Sequence, residues 1–133
     1  MSIKTISTSN APAAIGPYSQ AKLVSLAKSK TVGNLVFTSG AVPLDSVSGE
    51  VVGTEITAQA HQAIKNLLAV LEASGAGAED VIKTTCFIKN MADFADFNAV
   101  YAEYFTENPA RSCVEVARLP KDVLCEIEAV AVV

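Results

Sequence analysis

Apolar residues recur along this chain at two spacings, and the switches between them mark out its elements. From Thr57 to Ser74 the step is three or four. Ile56, Ala60, Ala63 and Ile64, Leu67 and Leu68, then Leu71 fall on one side of an α-helix. Thr54 stands where a helix cap is expected, and Ser74-Gly75 supplies a glycine stop. A second helical period runs from Met91 to Thr106, with Phe94, Phe97, Tyr101, Tyr104 and Phe105 on its apolar side, and Pro109 forbids its continuation. Runs rich in β-branched and aromatic residues read as strands at 35–39, 81–88, 112–117 and 123–132. Residues 11–19, with two prolines and a glycine, read as an ordered loop, and residues 45–49 as a turn. The order β-β-α-β-α-β-β predicts an α+β fold, a mixed sheet with two helices on one face. The other face also needs cover, and a second copy of the chain is the expected source.

Composition narrows this picture. With 133 residues the chain is expected to form one domain spanning 1–133 with one core. Half of the residues are apolar and only 18% are charged, which fits apolar surface buried between copies. The net charge of −4, without any run of Lys or Arg, argues against nucleic-acid or anionic-membrane partners. Lys22, Lys28 and Lys30, the nearest approach to a basic patch, read as a solvated loop or edge strand. Cys86, Cys113 and Cys125 are odd in number and lack Cys-x-x-Cys spacing, so reduced thiols and a cytoplasmic location are expected. The N-terminal stretch lacks the apolar core of a signal peptide, and no run nears the roughly 20 apolar residues that span a bilayer.

Few residues are placed to do chemistry. The one histidine, His61, lies mid-helix without ligand spacing, which speaks against a metal site or a Ser-His-Asp triad. No glycine loop opens a helix to cradle phosphate. In the last two strands, alternation puts Arg111, Cys113 and Glu115 on one face, and Glu126 with Glu128 on one face. If residues 119–122 close a four-residue hairpin, Arg118 faces Val123 and Cys113 faces Glu128. Arg111, Glu126 and Glu128 then share a side of the sheet. A cross-strand ion-pair ladder and a ligand site are both open on this pattern. In that register Val130 faces Arg111, so Glu126 lies four residues, about 13 Å, further along. Arg111 and Glu126 would then meet one small ligand only if they came from different copies.

Five stretches carry a resemblance: Ala-Ile-Gly-Pro-Tyr-Ser-Gln (14–20), Thr-Ser-Gly-Ala-Val-Pro (38–43), Val-Ile-Lys-Thr-Thr-Cys-Phe-Ile-Lys (81–89), Phe-Asn-Ala-Val-Tyr (97–101), and Pro-Ala-Arg-Ser-Cys-Val-Glu-Val-Ala-Arg-Leu-Pro-Lys-Asp (109–122) followed by Glu-Ile-Glu (126–128). With them the chain resembles the RidA/YjgF family of reactive-intermediate imine deaminases nearly end to end. The resemblance implies a chorismate-mutase-like fold and a homotrimer with ligand clefts between subunits. It also implies hydrolysis of 2-imino acids derived from 2-aminoacrylate and 2-aminocrotonate, with no cofactor and no metal. Seven positions carry over: Tyr18, Ser39, Gly40, Asn98, Arg111, Cys113 and Glu126. Arg111 would hold the substrate carboxylate through two parallel hydrogen bonds, with the backbone N–H of Cys113 adding a donor. Glu126 would orient or activate water, and Tyr18 would close the cleft.

Three features depart from the family pattern: the long link at 21–34, readable as a lengthened hairpin; Ala41, where glutamine is frequent; and the short link before Pro109. They bear on substrate range rather than on reaction type. Two other readings are a non-catalytic sensor of 2-keto acids, which needs only Arg111, and an endoribonuclease, against which acidity and the lack of a histidine pair speak.

Overall fold

The computed structural model describes residues 2–25 and 33–133. Six strands form one sheet: β1 (Ser2–Ile6), β2 (Ala21–Ser25), β3 (Asn34–Thr38), β4 (Val81–Ile88), β5 (Ala110–Glu115) and β6 (Cys125–Val132). Two helices, α1 (Ile56–Ala73) and α2 (Phe94–Tyr104), are inserted before β4 and β5. The spatial order is β1-β2-β3-β6-β4-β5, antiparallel throughout except for the parallel pair β4/β5 that α2 connects. The α+β class and the two helices on one face are as predicted. The strand order is not.

Three strands, rather than two, precede α1. The additional one is β1, an edge strand with four of five residues exposed and therefore no apolar stripe to betray it. The lengthened hairpin is present: β2 and β3 pair antiparallel, with Leu23 opposite Val36. Residues 26–32, including Lys28 and Lys30, lie outside the described residues.

The predicted hairpin between the last two strands does not form. β4 lies between β5 and β6, so Arg111 and Ala129 both face Thr84, while Cys113 and Ile127 both face Cys86. The cause is burial. Val81, Thr84, Cys86 and Ile88 of β4 all lie in the core, and the central position pairs both edges of that strand. Residues 120–122 make a single 3-10 turn with Lys121 and Asp122 at φ 53° and 55°, and the chain crosses over rather than folding back.

Alternation assigns the faces. Val36, Cys86, Ile88, Ile127, Ala129 and Ala131 pack beneath Ile64, Leu67 and Leu71 of α1 and Phe97 of α2. The opposite face carries Thr85, Phe87, Glu126, Glu128 and Val130, with no helix of the described residues packed on these strands from that side. Phe37 and Val114 on that face are 45% and 44% exposed, well above what a core strand shows. At the end of α1, Ala76 N–H donates to Leu71 O and Gly75 N–H to Glu72 O, a Schellman stop that uses the positive φ (+87°) of Gly75. Its start differs from the prediction. Glu55, not Thr54, occupies the cap position without a side-chain bond, and Gln59 holds the approach by donating to Gly53 O at 3.0 Å. No helix among the described residues is long and apolar enough to cross a membrane.

Candidate active site

The seven expected residues separate into two groups, one lining a cavity and one gathered around Arg111. Tyr18, Ser39, Gly40 and Glu126 line a cavity of about 230 Å³ that also takes Ala41, Val42 and Lys121 into its wall. Its mouth is built by the loop before β2. Gln20 is buried there and works as an internal brace. Its Oε1 accepts from Thr8 N–H (2.7 Å), while its Nε2 donates to Pro12 O (2.7 Å) and Thr8 O (3.0 Å). Ser39 extends the brace, its Oγ donating to Ser19 O at 2.6 Å and its N–H to Gln20 O at 2.9 Å. Tyr18 stands half out of this frame, 50% exposed, its hydroxyl accepting from Ile15 N–H at 3.3 Å.

Glu126 enters the cavity from β6. The strand leaves it half-buried, and that burial, reinforced by the like charge of Glu128 two residues on, raises its pKa above the ordinary carboxylate value. Gly40 makes room for it. A Cβ at that position would sit 1.9 Å from Glu126 Oε1, so no other residue fits without moving the carboxylate. From α1, Asn66 donates to Val42 O (2.9 Å) and Leu44 O (2.8 Å), pinning the far wall.

The second group stands at the β5 edge, on the helix-covered face. Arg111 is half-buried between α2 and β5. Its Nη1 donates to Asn98 Oδ1 at 2.8 Å, and its guanidinium lies 4.6 Å from the Tyr101 ring centroid and 5.6 Å from that of Phe94. No carboxylate among the described residues lies within ion-pair distance of it. The ion-pair ladder is therefore excluded, and so is the expectation that Arg111 and Glu126 share a side. β4 between them inverts the relation that a hairpin would have imposed. Two strand spacings and three residues along β6 separate their backbones by roughly 14 Å, with the side chains pointing away from each other.

Cys113 lies beside Cys86 in the next row, and burial raises both thiols, that of Cys86 to about 12; the Arg111 charge opposes the rise only in part at Cys113. A neutral thiol is a poor nucleophile, so Cys113 contributes size and backbone rather than sulfur chemistry. His61 is engaged elsewhere, its Nδ1 2.7 Å from the Tyr104 hydroxyl.

Sequence reasoning missed Gln20, Asn66 and Tyr101 as parts of the site. Tyr101 was legible only as an apolar position of α2. Gln20 and Asn66 are buried polar side chains whose partners lie 8–12 and 22–24 residues away, beyond any local pattern.

A family model described as Endoribonuclease L-PSP matches residues 8–133. The chain is 51% identical to the 2-iminobutanoate/2-iminopropanoate deaminase of Escherichia coli (strain K12), with 97% of each covered. Among solved structures it is similar to the E. coli YjgF gene product, with a TM-score of 0.84 at 51% identity, covering 97% of this chain and 98% of that one. It is also similar to E. coli TdcF with bound serine, with a TM-score of 0.85 at 45% identity and 98% of each chain covered.

Proposed function

The chain belongs to the endoribonuclease L-PSP (RidA/YjgF) family, and from that premise we propose that it hydrolyses reactive 2-imino acids to 2-keto acids and ammonia. The observation that carries the reading is 51% identity over 97% of both chains with an enzyme named for that reaction. The geometry supports it with an arginine whose charge no carboxylate among the described residues neutralises and a carboxylate set in a cavity with a raised pKa.

In this mechanism Arg111 grips the substrate carboxylate with two parallel N–H bonds, and the Cys113 backbone N–H adds a third donor. Asn98 holds the guanidinium in place. Glu126 orients a water and takes its proton as the oxygen adds to the imine carbon, giving a carbinolamine. Glu126 passes that proton to nitrogen and, ionised again, takes the hydroxyl proton as the C–N bond breaks, so that ammonia leaves and the carbonyl forms. Ser39 and Gly40 bound the pocket and Tyr18 closes it. A protonated imine is already electrophilic, so positioning and local electrostatics supply the acceleration.

Because Arg111 and Glu126 of one chain face opposite ways, the working site joins Arg111 of one copy to Glu126 of another. A chorismate-mutase-like homotrimer formed through the uncovered sheet face, with residues 1–133 acting as one domain, provides that arrangement. Three free cysteines suit a cytoplasmic enzyme.

The test is coupled imine hydrolysis, an amino-acid oxidase generating the imine in situ. Arg111→Ala should lower kcat/KM on the order of a hundredfold, the loss of a paired charged hydrogen bond. Equal rates for variant and wild type would end the reading. Glu126→Ala should abolish turnover; a protein that merely sensed 2-keto acids would have no turnover to lose.

A further inference from the structure

We propose that Tyr101 is the positioning residue for Arg111, holding the guanidinium by its ring face so that the edge N–H groups stay free for a carboxylate. This rests on the reading of Arg111 as the carboxylate receptor.

A half-buried arginine ordinarily takes an Asp or Glu partner, which would cover the N–H edge that a substrate carboxylate needs. Here the support comes from the side. The Tyr101 ring lies 4.6 Å beneath the guanidinium carbon, and a π face attracts the cation without consuming a donor. Asn98 occupies one N–H of Nη1 as a neutral acceptor. The remaining donors have no carboxylate partner among the described residues.

The ring itself has no freedom. Phe105 stacks on Tyr101 with centroids 4.6 Å apart, and Phe97 flanks it at 6.2 Å. The Tyr101 hydroxyl is 2.7 Å from Thr84 Oγ1, a fully buried atom pair for which either oxygen can be the donor. Thr84 is the β4 residue directly opposite Arg111 on β5. The chain therefore closes a circuit, from Arg111 backbone to Thr84, from the Thr84 hydroxyl to Tyr101, and from the Tyr101 ring back to the Arg111 side chain. Strand register and helix packing both have to agree before the guanidinium is placed. Burial also raises the phenol's pKa, so Tyr101 stays neutral and does not become an anion competing for Arg111.

A grip on the carboxylate acts in the ground state and the transition state alike, so loosening it should appear in KM more than in kcat. Tyr101→Leu should raise KM for the imine by roughly five- to thirtyfold, the span of a partly desolvated cation–π contact. Dissociation of the non-reacting product, a 2-keto acid, should weaken by the same factor. Tyr101→Phe keeps the ring face and should restore KM to within about threefold of wild type, although it loses the Thr84 bond and melts lower.

The deciding comparison is made with Arg111 removed. In an Arg111→Ala background, Tyr101→Leu should produce no further rise in KM, because Tyr101 acts only through that guanidinium. An unchanged KM in the single Tyr101→Leu variant, or an additive effect in the double variant, would overturn the proposal. A wild-type rate in Arg111→Ala alone would instead overturn the carboxylate-receptor reading on which it rests. If Tyr101→Leu does not fold, Tyr101→Met, of similar bulk but without a ring face, takes its place. It should raise KM when Arg111 is present and leave KM unchanged in the Arg111→Ala background, and an unchanged KM with Arg111 present overturns the proposal.

Discussion

A Cβ on Gly40 would lie 1.9 Å from Glu126 Oε1, so the carboxylate and the glycine are a matched pair. Gly40→Ala is expected to push Glu126 aside and lower kcat by about tenfold or more, as ångström-scale displacements of reacting groups do. Steady-state kinetics beside a melting curve checks this, since a kcat loss without loss of Tm locates the effect in the site. Glu126 also sets an acid limb. It must be ionised to take a proton from water, and its pKa is raised by burial first and by Glu128 second. Activity should therefore fall as pH drops through a value above the ordinary glutamate range near 4.3. In Glu128→Gln the like charge is gone, the pKa falls, and the limb should move to lower pH. A limb that stays put would deny the coupling. At this scale alternation served well: Arg111 with Cys113, and Glu126 with Glu128, share faces as the period of two requires. What alternation could not reveal is what stands across from each residue. Tyr101 beneath Arg111 depends on helix packing and on Thr84, 17 residues away in the chain.

Among the elements, the loop before β2 is held by one side chain. Gln20 satisfies Thr8 N–H and reaches the carbonyls of Thr8 and Pro12, and it fixes the frame on which Tyr18 stands. Gln20→Ala leaves those partly buried groups without their partner and should cost about 1 kcal/mol of stability, read from denaturant unfolding. KM should rise with it as Tyr18 loses its frame, while an unaltered KM would separate the loop from the site. The helices were legible because each carries a period that only a helix satisfies; Gly75 sits at the stop of α1, whereas α2 spans Phe94–Tyr104 and ends well before Pro109. The sheet order was not legible. Leu119-Pro120-Lys121-Asp122 looks like a hairpin loop when read locally, but the pairing is decided by β4, whose buried residues claim the position between β5 and β6. Nor did β1 show itself, since an exposed edge strand needs hydrogen bonds but no apolar stripe.

For the whole molecule the consequence of that order is division of labour. The cavity with Glu126, Gly40, Ser39 and Tyr18 also takes Asn66, Leu67 and Val70 of α1 into its wall, while the Arg111 cluster lies at the β5 edge, and the Arg111 and Glu126 side chains leave the sheet from opposite faces. The hairpin register behind the expectation that two copies share each site is not observed, and the proposal of a shared site rests instead on the strand order. Roughly 14 Å and a change of face now separate the two groups within a chain. The uncovered face, bearing Phe37 and Val114, is where the copies are expected to meet.

Mixing two impaired proteins tests this arrangement directly. Alone, Arg111→Ala is expected to keep about a hundredth of the wild-type kcat/KM and Glu126→Ala to be inactive. After co-refolding in equal amounts into a cyclic trimer, every mixed assembly contains one interface with an intact arginine on one copy and an intact glutamate on the next. Imine hydrolysis should then recover to about a quarter of the wild-type rate. Activity no greater than the sum of the two separate variants would show that one chain carries the whole site.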